Sequence, residues 1–307
     1  MRNTPLLVLG LALSLGGCSC DDEVLGDGGD ADDPIADLGS TDGGGMDGGG
    51  SGTDGGGRDF GPRPDGGGPE VCDGIDNDAN GIIDDVDEGG DGICDCLIVA
   101  TLGVPGAHGA GDVFSAWLDE RSDIGATALG DMTLTPELLE PYQVIVAEDL
   151  RGREYSDDEV AALEAWIRAG GGLMTLIGYG SPDERTNVNR LLAPTGVQYD
   201  SAQILGGSPT RPVTEWTEHP VSEGVTQVGV DNGYEVIGEG DVVAREGGFD
   251  VLRAREVGAG KVLVWGDEWI TYDSEWTEHP EYQLERFWLN AIKWLTPATE
   301  CQVPILI

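Results

Sequence analysis

Basic residues are scarce in this chain of 307 residues, which has 16 Lys and Arg against 58 Asp and Glu and a formal net charge of −42. A chain with this much negative charge repels nucleic acids and anionic lipid headgroups. The excess of acidic residues therefore argues against charge-driven binding to either. The chain is also poor in long apolar runs. The run Pro5–Gly17 has about a dozen apolar residues, too few to cross a bilayer as a helix.

The first 17 residues have the composition of an export signal. Arg2 provides a positive charge ahead of the apolar run, which closes with the letters LGGC at Cys18. This ending resembles the lipobox of bacterial lipoproteins, and the resemblance implies that Cys18 becomes the diacylated N-terminus of a cell-envelope protein. Ser19 stands where an Asp would favour the inner membrane, so we expect the outer membrane. A plain secretory signal is the alternative.

Residues 18–69 consist largely of Gly and Asp, as in the central letters GGGMDGGGSGTDGGG. Aromatic and branched apolar residues, whose burial would offset the entropy lost on ordering, are nearly missing here. We therefore predict a disordered, self-repelling tether that holds the folded part away from the lipid surface. Weak binding of cations along the Asp residues is the functional alternative.

The stretch Cys72–Asp87 spaces its oxygen-bearing residues as a calcium loop does. With Asp76 at position 1, Gly81 falls at position 6, where such loops turn sharply. The predicted ligands are the Ile82 carbonyl group and the side chains of Asp76, Asp78, Asn80, Asp84 and Asp87. Position 12 is Asp rather than Glu, and no helical pattern flanks the loop. We therefore predict that residues 70–96 form a structural calcium site rather than an EF-hand. A solvated acidic run is the alternative.

The letters CDGIDNDANGIIDD resemble the short metal-binding motif Cys-Asp-Gly-x-Asp-Asn-Asp of myxobacterial and related surface proteins of the MopE type. Members of that family often carry a second Cys where this chain has Ala79. The resemblance covers only this stretch, and it implies a metal-binding motif with the same oxygen ligands.

Five cysteines remain after Cys18, and an exported protein can form disulfides. Cys72 and either Cys94 or Cys96 bracket the calcium loop, so a bridge there would close it. The other of this pair is able to reach Cys301 and fasten the C-terminal end. Cys20 is then the odd thiol. Metal binding by Cys94 and Cys96 is the weaker alternative, because the spacing is too short and no second pair exists.

Residues 97–307 alternate strand-like and helix-like segments. Short apolar runs predict strands at Leu97–Leu102, Gln143–Ala147, Leu173–Ile177, Val251–Arg255 and Lys261–Trp265. Apolar periodicity and a capping box at Ser156 and Glu159 predict helices over Asp112–Glu120, from Ser156 through Ala169, and over Tyr282–Leu295. This alternation predicts an α/β fold with a mostly parallel sheet covered on both faces.

The segments AWIRAGGGLMTLIG, KVLVWGDEW and LNAIKWL resemble the class I glutamine amidotransferase-like, or ThuA-like, domains. The resemblance implies a flavodoxin-like three-layer sandwich, with the nucleophilic Cys of the amidotransferases at the turn Gly178–Ser181. This turn contains no Cys. Ser181 is a weak substitute, because it needs a nearby base and stands in a loop before Pro182. The resemblance therefore implies a domain that has lost thioester chemistry.

Two further patterns contain candidate site residues. The letters EWTEHP occur at 215–220 and again at 275–280, which indicates either two similar turns or one shared surface for a sugar, a peptide or a metal. The candidates for the shared surface are Glu218, His219, Asp267, Glu278 and His279. His279-Pro280-Glu281 also matches the His-Pro-Glu letters of the amidotransferases, although it lies too far past its strand. His108 stands in a Gly-rich loop, where α/β sheets often bind ligands.

Two functions from different classes fit these observations. The first is a non-enzymatic, calcium-binding lipoprotein of the outer membrane whose domain binds an envelope sugar or protein or gives structural support. The second is a hydrolase of envelope sugars or peptides that uses carboxylate and His groups, with His279, Glu281, Asp267 and Ser181 as weak candidates. Clustering of Asp267, Glu268, His279 and Glu281 in one cleft would favour the hydrolase.

Overall fold

The computed structural model describes residues 68–178, 182–205 and 210–303. The export signal, Cys18, Cys20 and the tether up to residue 67 lie outside the described residues, as do Ser181 and the two residues before it. Within the described part, no helix is both long and apolar enough to span a membrane.

The fold is centred on one eight-stranded sheet. Its strands, in their order across the sheet, are β2 (Thr127–Gly130), β1 (Val99–Gly103), β3 (Val144–Glu148), β4 (Gly172–Thr175), β12 (Gly260–Trp265), β11 (Phe249–Val257), β10 (Asp241–Glu246) and β7 (Glu215–Trp216). The first five are parallel, and the last three continue the sheet in antiparallel pairing. The predicted α/β fold with a mostly parallel sheet is confirmed, and the order of the parallel strands matches that of flavodoxin-like folds.

Two small sheets flank this one. Strand β5 (Val197–Gln203) pairs with β9 (Tyr234–Gly238), and β6 (Arg211–Val213) pairs with β8 (Val228–Val230). The helices are α1 (Asp112–Asp119), α2 (Pro136–Leu139), α3 (Asp157–Ala169), α4 (Pro182–Leu192), α5 (Asp273–Glu278) and α6 (Leu284–Leu295). The predicted hairpin of β11 and β12 and the three predicted helices are present, with ends that differ by at most two residues.

Two apolar cores cover the two faces of the large sheet. Successive residues of a strand point to opposite faces, so Val144 packs in the core beneath α1 and α6, whereas Ile145 packs in the core beneath α3 and α4. Every residue of β1, β3 and β4 is buried, as expected for parallel strands covered on both sides. The three layers place the carboxyl ends of these strands at one edge.

Helix α3 is fixed at both ends by its sequence. The Ser156 side chain accepts a hydrogen bond from the Glu159 amide, and the Glu159 carboxylate accepts one from the Ser156 amide. This capping box satisfies amide groups that have no partner within the helix. Gly170 follows with a φ of 138°, a backbone conformation that favours glycine, and the chain enters β4.

Residues 68–96, which we call the neck, are joined to the C-terminal segment. Disulfides connect Cys72 with Cys96 and Cys94 with Cys301. The sequence left open whether Cys94 or Cys96 pairs with Cys72, and in the structure it is Cys96. Ile83 also forms a β-bridge with Glu300. Because Ile93, Cys94 and Cys96 belong to the core beneath α6, the end of the neck is continuous with the α/β domain.

Candidate functional site

Acidic side chains gather where the parallel strands end. Glu148 is the last residue of β3, and Asp267 and Glu268 follow β12 after the single residue Gly266. Glu184 comes from the first turn of α4, which follows β4. All four are buried, with at most 1% of their surface exposed. We call this group the carboxyl edge, since ligands of open α/β sheets bind at the carboxyl ends of the strands.

Glu148 is held by the loop that follows β1. Its Oε1 accepts a hydrogen bond of 2.7 Å from the Gly106 amide. The Thr271 hydroxyl lies beside the carboxyl group but donates to the carbonyl oxygen of Glu268. Burial raises the pKa of Glu148 well above its usual range, and the charge of Glu268 raises it further. Glu148 is therefore an acid that favours its neutral form unless a positive charge lies nearby.

Asp267 and Glu268 differ in their partners. Asp267 accepts hydrogen bonds from the amides of Asp231 and Glu268, yet burial still raises its pKa well above the usual value. Glu268 accepts a hydrogen bond from the Tyr272 hydroxyl. Its carboxyl group lies directly against Gly178, where a β-carbon would overlap it. Asp267 is thus fixed by backbone donors, whereas Glu268 faces the turn after β4.

His108, from the loop after β1, lies close to Glu184 and Glu268 of the carboxyl edge. One ligand atom from each of His108, Glu184 and Glu268 lies within 4.8 Å of the other two. Burial raises the pKa of Glu184 to about 8, with further contributions from Glu268 and Asp149. The His108 Nε2 is 3.8 Å from Asp149. Two carboxyl groups and an imidazole at this spacing can hold a cation or share protons with a polar substrate.

The predicted catalytic residues do not form one cluster. Asp267 lies in the carboxyl edge, whereas the Nδ1 of His279 is 3.0 Å from the exposed Glu281 and its Nε2 is 3.7 Å from the buried Glu275. The Glu281 hydrogen bond raises the pKa of His279. Ser181 lies outside the described residues. Sequence analysis missed Glu148 and Glu184, which converge with Glu268 only through the fold.

The two copies of EWTEHP adopt different structures. In the first, Glu215 and Trp216 form β7, and Pro220 begins a 3₁₀ turn that the His219 side chain caps. The second runs through α5, so Pro280 follows a helix end instead of beginning a helix. Both copies nevertheless end in a turn that begins at His-Pro, closed by the Ser222 amide donating to the His219 carbonyl group and by the Tyr282 amide donating to the His279 carbonyl group. The expected turn entries are therefore present in both copies, whereas the residues before them form a strand in one and a helix in the other.

Their aromatic rings also have different neighbours. Trp216 stacks near Trp265, with ring centroids 6.4 Å apart, whereas Trp276 packs 5.7 Å from Trp117. The rings of His219 and His279 contact Trp294 and Tyr282 respectively. Glu218 and Glu278, the other residues considered for a shared surface, are exposed. The Trp and His rings of the two copies therefore contact different residues.

The neck brings part of the predicted calcium set together. Carboxylate oxygens of Asp76, Asp78 and Glu70 lie within 4.8 Å of one another. Asn80 is bonded to this group, because its amide donates to both Asp76 and Asp78. Glu70 was missed because it precedes the twelve-residue spacing. Hard oxygen donors of this kind fit Ca²⁺.

Asp84 and Asp87 lie outside this group and bind backbone amides. Asp84 accepts from Asp73 and Gly74, and Asp87 accepts from Asp91 and Gly92. The Ile82 amide donates to the Asn80 side chain, which turns the chain at the predicted position 7. The structure therefore gathers Asp76, Asp78 and Glu70, while Asp84 and Asp87 brace the neighbouring turns.

Comparisons with known proteins bear on the fold. No protein-family model matches the chain, and no curated protein matches it. The cytoplasmic protein STM1381 from Salmonella typhimurium LT2 has a similar structure, with a TM-score of 0.51 and 15% identity, covering 65% of this chain and 100% of that protein. A ThuA-like protein from Bacteroides uniformis ATCC 8492 is also a structural neighbour, with a TM-score of 0.42 and 14% identity over 65% of this chain and 91% of that one. The likeness to STM1381 shows a shared α/β fold alone.

Proposed function

We propose that this chain is a calcium-binding lipoprotein of the outer membrane whose α/β domain binds an envelope sugar or protein rather than catalysing thioester chemistry. The observation that carries the proposal is the convergence of Glu70, Asp76 and Asp78 within a loop that has calcium-loop spacing. Two disulfides fasten that loop to the folded domain, an arrangement that suits an exported protein.

In this proposal Asp76, Asp78 and Glu70 are the central calcium ligands. Asp76 and Asp78 occupy positions 1 and 3 of the loop, and the adjacent Asn80 oxygen and Ile82 carbonyl group provide further donors of the required hardness. The neck would then stiffen when the ion neutralises these carboxylates, and the acidic tether would keep the domain at a distance from the lipid surface.

A calcium titration of the full chain tests the proposal. Isothermal calorimetry should detect binding by the wild-type protein, and Asp76→Asn and Asp78→Asn should each weaken it at least about tenfold, because each removes a charged ligand. Asp123→Asn is the matched control, since Asp123 is exposed and lies outside the neck. Equal calcium binding by Asp76→Asn and the wild type would overturn the assignment.

The lipid anchor needs its own test. Cells grown with labelled palmitate should incorporate label into the wild-type chain and not into Cys18→Ser, which should no longer fractionate with the outer membrane. A Cys20→Ser variant keeps the residue proposed for lipidation and is the control. Label in Cys18→Ser at the wild-type level would contradict the proposal.

A hydrolase is the second candidate, favoured by the buried carboxyl groups of the carboxyl edge. Glu184, with a pKa of about 8, is suited to donate a proton at neutral pH, and Glu268 lies within reach of the same position. Release of reducing sugars or peptides from purified cell envelopes by the wild type, and its loss in Glu184→Gln, would support this function. No release by either protein would leave the binding function as the better account.

A further inference from the structure

The carboxyl edge concentrates acidic side chains at buried positions. Glu148, Glu184 and Glu268 are all buried, and each of the other two charges raises the pKa of Glu148. Arg151 contributes a positive charge, but its guanidinium binds Asp149 and its side chain is 42% exposed. A buried carboxylate is costly unless hydrogen bonds or an opposite charge compensate it. A bound cation would offset that cost.

One oxygen in this group has no donor. The Glu148 Oε2 is fully buried and has no hydrogen-bond partner among the described residues, whereas its Oε1 accepts from the Gly106 amide. Most buried polar atoms are satisfied, so this oxygen calls for a further partner, which a bound cation would provide.

The geometry provides nitrogen as well as oxygen ligands. His108 presents an imidazole nitrogen within 4.8 Å of carboxylate oxygens from Glu184 and Glu268. His108 comes from the loop after β1, Glu184 from α4 and Glu268 from the segment after β12, so three separate elements are directed at one point. Such convergence on one position is typical of an ion-binding site, since a solvated acidic surface would not bury its carboxylates.

We propose that His108, Glu184 and Glu268 bind a divalent transition-metal cation at the carboxyl edge, whose positive charge would also offset the burial of Glu148. Imidazole favours Zn²⁺ and related ions over Ca²⁺, and carboxylates accept Mn²⁺ as well. The site differs in its ligands from the all-oxygen neck. The two sites are therefore expected to prefer different ions, and this inference does not depend on calcium binding by the neck.

Manganese titration of the full chain in excess calcium tests the proposal. Calcium saturates the neck, and the electron paramagnetic resonance signal of free Mn²⁺ then reports what else binds. The wild-type protein should bind one equivalent of Mn²⁺, and Zn²⁺ should displace it. Glu184→Gln and His108→Ala should each weaken Mn²⁺ binding at least about tenfold, as expected for the loss of a ligand.

Two controls separate this site from other causes. Asp76→Asn, in the neck, and Glu275→Gln, another buried acid, should both bind Mn²⁺ like the wild type. His108 lies in an exposed loop, so His108→Ala should keep the wild-type melting temperature in the absence of metal, and loss of Mn²⁺ binding by this variant then supports the site. Wild-type protein that takes up no Mn²⁺ or Zn²⁺ in excess calcium, or unchanged binding by Glu184→Gln and His108→Ala, would overturn the proposal.

Discussion

The α-carbon of Gly178 lies directly against the carboxyl group of Glu268, so that no side chain fits between them. This contact joins the end of β4 to the segment after β12 across the carboxyl edge. It also explains a glycine at a position where the backbone conformation itself does not demand one, because Gly178 is not among the residues with positive φ.

Gly178→Ala should therefore displace Glu268. The added methyl group overlaps the carboxyl group, and such overpacking costs about 1–3 kcal/mol of unfolding free energy. We expect a lower midpoint in urea unfolding and, if Glu268 is a ligand, weaker Mn²⁺ binding. Gly68→Ala is the control, since a β-carbon there meets nothing within 4 Å. Unchanged stability of Gly178→Ala would mean that Glu268 moves aside freely.

Glu275→Gln should stabilise the protein at alkaline pH. Burial raises the pKa of Glu275 from 4.5 to about 7, and neither carboxyl oxygen has a hydrogen bond within the described part of the chain. A carboxyl group whose pKa is higher in the folded state adds stability below its unfolded pKa, and this stability is lost as the pH rises through about 7. Gln avoids the ionisation, so the variant should gain roughly 1–3 kcal/mol at pH 8.

The pH profile of urea unfolding tests this prediction for Glu275. The difference between Glu275→Gln and the wild type should shrink toward zero near pH 4, where Glu275 is already neutral in both states. Glu278→Gln removes an exposed acid from the same helix and should show no such profile. A Glu275→Gln variant that is less stable at pH 8 would show that the ion pair with His279 outweighs the cost of burial.

Glu159 should show the opposite pH dependence. The Arg153 guanidinium lowers the pKa of Glu159 from 4.5 to about 2, and the Ser156 and Leu134 amides contribute. A carboxyl group with a lowered folded pKa adds stability above its unfolded value, and this is lost as the pH falls from about 4.5 to 2. Because Arg153 is partly exposed, we expect Glu159→Gln to lose roughly 1–3 kcal/mol at pH 7. The loss should fade near pH 2, and the exposed Asp158→Asn should lack it.

Much of the fold was predictable from local patterns, but the candidate site was not. Buried strands and the capping box of α3 follow from neighbouring residues, so apolar runs and Ser156 with Glu159 were enough to predict them. The carboxyl edge depends on which strands lie side by side. Glu148 ends an apolar run, and Glu184 stands in a first helical turn, where acidic residues are common for electrostatic reasons. Neither position indicates a site in the sequence alone, because the two side chains come together only when β3, β4 and β12 lie side by side in the sheet.

The two disulfides should contribute unequally to stability. Cys94 and Cys301 are separated by 207 residues, whereas Cys72 and Cys96 are separated by 24. By the loop-closure argument the long bridge is worth roughly 5 kcal/mol and the short one about 3. Replacing Cys94 and Cys301 by Ser should lower the melting temperature more than replacing Cys72 and Cys96. The reverse order would mean that the bridges act through native contacts instead of loop closure.

Removal of calcium should loosen the neck and spare the sheet. The turns around Asp76 and Asp84 are held by hydrogen bonds from backbone amides to carboxylates at exposed positions. Without an ion, the repulsion between the carboxylates of the neck favours opening of these turns. The sheet is independent of them because β1, β3 and β4 are fully buried. Hydrogen exchange with and without EGTA should show faster exchange in residues 73–85 and unchanged protection in these strands. At a calcium concentration that just saturates the wild type, Asp76→Asn should exchange faster in residues 73–85 than the wild type, whereas Asp123→Asn should not. Loss of protection throughout the sheet on chelation would show that calcium holds the whole domain together, acting through the bridge between Ile83 and Glu300.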